Sequence, residues 1–193
     1  MSINSFISAL ACMWLVCPPE PPSAAELRNP RVSAEEARAI LNNLEVHIGP
    51  TAAYPSVITV TVHNHNPHAV VFMKDYSPLD PLALRLGMFN ITPAFYRAPL
   101  SLPRVRVRRE WSPDLATLVP LQPGRSAFGS INLHDLGMDF RPFGPMARVV
   151  LFGKWLAVWK GALVGTEVFE LKGWGAMQGE FVSNSFKLNL RNV

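Results

Sequence analysis

Proline limits this chain more than any other feature. Eighteen prolines are spread along its 193 residues rather than gathered in one tract. Proline interrupts helix interiors and central strands alike, so the chain is divided into short segments joined by tight turns. Apolar residues make up 49% of the sequence, enough to bury a real core. The length suits one domain with additional segments.

Between the turn signals, period-two alternation dominates. Val57 to His63 is rich in β-branched residues and alternates strictly. Asn64 to His68 reads as a turn and Ala69 to Met73 as the returning strand, which together predict a hairpin with a five-residue loop. Ser77 to Leu82 is a proline-bracketed corner. Leu84 to Ile91 is expected to be a strand with a bulge at Gly87. Arg104 to Arg109 is expected to be a short alternating strand, and Leu115 to Leu121 an extended segment before the Gln122-Pro123-Gly124 turn. Ser126 to Leu133, Met146 to Trp159 (with Gly153 as a bend) and Gly179 to Leu190 complete the set, and Gly161 to Gln178 reads as a long loop.

Only residues 33–44 carry a helical period. Ser33 and Glu36 have capping-box spacing, and Ala37, Ile40, Leu41 and Leu44 form one stripe. The pattern predicts an all-β fold, an immunoglobulin-like antiparallel sandwich of about seven or eight strands with one short N-terminal helix. The expected organisation is a signal segment at 1–25, a linker and helix at 26–44, and a β-sandwich domain at 45–193.

The leader expectation rests on the apolar run Phe6 to Cys17 and the small residues Ser23-Ala24-Ala25, although no lysine or arginine precedes the run. The run is too short to span a bilayer, so no transmembrane segment is expected. Secretion is the expectation; a cytoplasmic protein with a packed N-terminal segment is the alternative. Cys12 and Cys17, the chain's two cysteines, both lie in this leader, so the folded part holds no disulfide framework and no cysteine metal site.

The candidate site residues are few. His63 and His65 share a strand face and with His68 are candidate metal ligands, but the same residues suit a polar hairpin tip, so no metal site is assigned. Arg104, Arg106 and Arg108 fall on one face of their segment, with Val105 and Val107 on the other, and Arg109 extends the cluster. These four are the candidate binding residues for carboxylates or phosphates; a solvated outer face that guards an edge strand is the simpler reading, because alternation alone predicts it. The net charge of +4 and this one short basic cluster do not point to nucleic acid. Trp155 and Trp159, four residues apart, are expected on one strand face, filling a core or forming an aromatic platform. Asp75, Asp80, Glu110, Asp114, Asp135 and Asp139 read as turn or rim residues. Asn90-Ile91-Thr92 is an N-glycosylation sequon followed by Pro93. Nucleophile elbows, His-Glu-x-x-His, Walker loops and dinucleotide fingerprints are absent.

The stretch from Val57 to Trp159 resembles a group of small fungal proteins of unknown function. The resemblance is carried by Ile58 to Asn64, Asp75 to Leu84, Ile91 to Ala94, Pro103 to Arg109, Gln122-Pro123-Gly124 and Gly153 to Trp159. The group in turn looks like the β-sandwich prodomain of deuterolysin-type fungal metalloproteases. The resemblance implies a sandwich fold and a chaperone-like or binding role. It implies no protease activity, because the metal-binding helix motif is missing.

The expected function is therefore a non-enzymatic binding or accessory module with a protein or small-molecule partner and no cofactor. A cofactor-free cyclase or isomerase is the first alternative, and it requires a deep aromatic-lined pocket. A secreted protein acting on a cell surface or carbohydrate is the second.

Overall fold

Ser33 opens the fold. Its hydroxyl accepts the Glu36 amide at 3.1 Å and caps a helix, α1, at Ala34–Asn42. Ile40 and Leu41 bury the inner stripe of this helix. The computed structural model describes residues 32–51, 54–109, 115–161 and 176–193. The segments expected as leader and linker up to residue 31, Glu110, Asp114, Trp111, Trp174 and most of the glycine-bearing loop expected at 161–178 lie outside the described residues.

Among the described residues, eight strands form two antiparallel sheets. The first sheet holds β1 (Leu44–Thr51), β2 (Tyr54–Asn64) and β6 (Ser126–Asn132), in the order β1-β2-β6. The second holds β3 (Val70–Met73), β4 (Phe89–Pro93), β5 (Leu118–Leu121), β7 (Met146–Lys160) and β8 (Met177–Asn189). Along one edge β7 pairs with β8; along the other it pairs with β4 near its start and β3 near its end, and β3 pairs with β5. Ile58, Val60 and Val62 from the first sheet and Val149, Leu151 and Trp155 from the second fill the interior, each 1% exposed or less. The Trp155 ring lies between Phe72 and Phe181, with centroids 5.2 and 5.1 Å away.

The predicted helix ends at Asn42, and Leu44 opens β1, a strand absent from the prediction. Leu44, Val46 and Ile48 point inward there, and Glu45 and His47 outward. β2 and β3 do not form a hairpin, because β2 belongs to the first sheet and β3 to the second. The Asn64–His68 turn is instead the crossover between them. Asn64 is fully buried; its Nδ2 donates to the carbonyls of His68 and Leu121, both at 3.0 Å, and its Oδ1 accepts from the Asn66 amide. Leu121 lies in β5, so this one side chain ties the two sheets together.

Leu84 to Met88 is a series of turns rather than a strand, and β4 begins only at Phe89. Gly87 has a φ of +78°, and Arg104 lies across it where a side chain would stand. The segment 104–109 pairs with no strand among the described residues. Leu115–Thr117 is a 3-10 turn leading into β5. Gly153 lets Phe181 and Met88 close onto the strand, where a Cβ would stand 2.8 and 2.9 Å from them. Trp155 and Trp159 face opposite ways. The register between β7 and β8 shifts between Trp155 and Val158, and this bulge turns Trp159 into a second apolar cluster with Val71, Met73, Leu118 and Ala157.

Candidate functional site

After β4 the chain runs back along the edge of the second sheet. The Ala94 amide donates to the Met146 carbonyl at 2.9 Å, and that of Leu100 to the Ile91 carbonyl at 2.8 Å. Leu102 is buried beneath the segment. Beyond it, the Val105 amide donates to the Arg85 carbonyl at 2.9 Å, and the Val107 carbonyl accepts the Tyr76 hydroxyl at 3.2 Å. These tethers go to turn residues, which is why the alternating sequence forms no ladder.

The segment carries its charge outward. Arg97, Arg104, Arg106 and Arg108 are exposed, and none makes an ion pair or side-chain hydrogen bond with a described residue. Phe95 is 84% exposed beside them, and Tyr96 packs edge-on against Phe143 at 6.0 Å. From Pro81 to Arg109 the sequence holds six arginines and no carboxylate. The whole chain carries +4, so the residues outside this stretch sum to −2. Arg85 lies in the same stretch, with its guanidinium bonded to the Asp135 carbonyl.

Arg109 stands apart from its neighbours. It points inward and forms a bidentate pair with Asp80, at 2.5 and 3.0 Å, and an ion pair with Asp75 at 2.9 Å. The guanidinium also lies over the Tyr76 ring, 5.0 Å from its centroid. Asp80 is fully buried and accepts the amides of Tyr76 and Leu82 as well, at 2.7 and 2.8 Å. Hydrogen bonding to Asp80 holds the Arg109 guanidinium above its ordinary pKa, against the opposing effect of burial. Tyr76 adopts a left-handed φ of +57° inside this knot. The proline-bracketed corner thus anchors the basic segment at its C-terminal end, a role that local pattern did not reveal.

The three histidines divide between two places. His63 Nδ1 lies 2.7 Å from Ser126 Oγ, His65 Nε2 lies 2.7 Å from Glu45 Oε2, and the two rings are 4.2 Å apart. The hydrogen bond from His65 holds the exposed Glu45 carboxyl below its usual range. His68 sits elsewhere, near Lys160 and Glu36, and its Nε2 is buried without a hydrogen-bond partner. Among the described residues, no group of three His, Cys, Asp or Glu side chains is placed to hold a metal ion.

Burial lowers the His68 pKa from 6.5, the Lys160 charge adds to this, and Glu36 opposes it. Below pH 6.5 the unfolded chain therefore binds a proton that the folded chain refuses, so this contribution to stability is present above 6.5 and is lost as pH falls toward the folded value. Stability measured by urea unfolding is expected to decline across that window. His68→Gln should flatten the decline; an unchanged slope would refute the assignment.

Asn90 lies half-buried in β4, opposite Val150. Trp155 and Trp159 are 1% and 3% exposed, so neither forms a surface platform. Asp139 pairs with Arg141 at 2.9 Å on the surface. The described residues include two depressions of note. One, of about 190 Å³, is bordered by Leu82, Leu84, Ile131 and Asp135. The other, of about 790 Å³, is an open groove between α1 and β8, bordered by Ala37, Leu41, Met177 and Glu180. Neither is lined by an aromatic ring, and neither brings two carboxylates together. Among the described residues, no helix is long and apolar enough to cross a membrane.

Two antiparallel sheets packed face to face around a filled interior, with loops and an edge segment available for contact, define an immunoglobulin-like sandwich. Residues 43–190 match the immunoglobulin-like domain family, and the chain belongs to it. No curated protein matches the chain.

Proposed function

We propose that this domain is a non-enzymatic binding module that engages an anionic partner through Arg97, Arg104, Arg106 and Arg108. The observation that supports it is charge segregation: these guanidiniums are exposed, unpaired among the described residues, and set in a stretch without a carboxylate. Arginine forks suit carboxylate and phosphate oxygens, and an unpaired set costs little to engage. A prodomain-like or chaperone-like role, implied by the fungal resemblance, would use the same surface to cover an acidic segment of a client.

The test uses poly-L-glutamate as the probe, with binding followed by fluorescence anisotropy at low and physiological salt. Binding should weaken as salt screens the charges. The triple variant Arg104→Gln, Arg106→Gln, Arg108→Gln should bind at least tenfold more weakly with an unchanged Tm, since none of the three side chains has an internal partner. Absence of binding by the unaltered protein at low salt would remove the proposal's basis.

A further inference from the structure

We propose that the edge of residues 104–108 accepts an extended, carboxylate-bearing polypeptide as an added β-strand; this rests on the anionic-partner reading and specifies it. Val105 and Val107 both direct hydrogen-bonding groups toward the body of the domain, the first through its amide and the second through its carbonyl. Residues two apart that face the same way are the mark of an extended backbone. The intervening residues then direct their amides and carbonyls to the opposite side. Arg104, Arg106 and Arg108 make no backbone hydrogen bond with any described residue. The result is a short edge of three donors and three acceptors, held rigid at its C-terminal end by the Arg109–Asp80 pair.

The charges select the strand that can occupy it. On an extended chain the three guanidiniums repeat at roughly 6.6–6.8 Å, the repeat of alternate side chains on any partner strand. A strand with acidic residues at alternate positions meets both the backbone row and the guanidinium row at once. A second copy of the same edge would bring arginines against arginines, so self-pairing is disfavoured. A phosphate backbone or an anionic lipid surface matches the charge but supplies no alternating donors and acceptors, so polypeptide is the occupant the backbone geometry favours. The outer edge of β1 is closed to such a partner at Ile48: Asn184 accepts the Ile48 amide at 2.7 Å and donates to its carbonyl at 3.0 Å.

The experiment adds an acetylated octapeptide of alternating glutamate and valine to the whole domain and follows amide hydrogen exchange by NMR. The amides of Arg104, Arg106 and Arg108 are expected to slow at least tenfold on binding, while that of Val105, already bonded, changes little. The fully N-methylated peptide, which keeps every carboxylate and loses every donor, should bind at least tenfold more weakly. If the octapeptide binds without slowing those three amides, or binds equally when N-methylated, strand addition is refuted and the anionic surface survives. If poly-L-glutamate binds and the octapeptide does not, strand addition is again refuted. If duplex DNA or phosphatidylserine vesicles bind more tightly than the octapeptide at equal ionic strength, the polypeptide assignment is overturned. If no anion binds, both proposals fall together.

Discussion

Asp80→Ala is expected to cost about 3–5 kcal/mol of stability, the range for removing one partner of a buried ion pair. Asp80 is fully buried and accepts four hydrogen bonds, two from Arg109 and two from backbone amides. The variant leaves a guanidinium whose side chain is 16% exposed, with Asp75 as its remaining carboxylate partner among the described residues. It also removes the acceptor that holds Tyr76 in its left-handed conformation. Arg109→Met should cost less, because Asp80 keeps two backbone donors and Asp75 is partly open to water. Guanidinium unfolding of both variants checks the order; an Asp80→Ala protein within about 1 kcal/mol of the unaltered one would contradict the account. The same variant should loosen the 104–108 edge, so binding of poly-L-glutamate should weaken even where the fold survives.

Asn64→Ala is expected to cost on the order of 3 kcal/mol, since each buried polar group left unpaired costs about 1–3 kcal/mol. The substitution strands the carbonyls of His68 and Leu121 and the amide of Asn66. Damage would spread to α1, because Asn66 Nδ2 donates both to Asn64 Oδ1 and to the Ile40 carbonyl near the helix end. Asn64→Asp separates the contributions. It keeps the acceptor for Asn66 and loses both donors to the sheet carbonyls, so it should be comparably destabilised. Urea unfolding decides the matter, and recovery of near-native stability in the aspartate variant would show that the donor bonds between the sheets contribute little.

The parts of the fold legible in the sequence are those that a local period specifies. β2, β6, β7 and β8 alternate over many residues, and Ser33 with Glu36 marks the helix start without ambiguity. β1 is hidden in the sequence because Leu44 satisfies both periods: it completes the helical stripe of Ile40 and Leu41 and begins the alternation of Val46 and Ile48. In the sequence the crossover at Asn64 looks like a hairpin because consecutive strands usually pair, and nothing local shows that an asparagine is buried. The candidate surface was legible as far as charge alternation reaches. Arg108 and Arg109 are adjacent and chemically identical, yet one faces solvent and the other Asp80. Their separation depends on a corner some thirty residues upstream in the chain, which only tertiary structure brings alongside.

Because β7 changes face between Trp155 and Trp159, one strand is shared by two interiors. Its first part supplies Val149, Leu151 and Trp155 to the main core, and its last residues supply Ala157 and Trp159 to the smaller cluster. Exchanging one apolar side chain for another of similar volume leaves both interiors filled. Removing or adding a single residue near Leu156 would rotate everything beyond it by one face. Trp159 would be driven toward a core already occupied by Trp155, and Val158 would be left to fill the space of an indole. The length of this strand is therefore held more tightly than its composition, and related chains should drift freely in the identity of these residues while keeping their number.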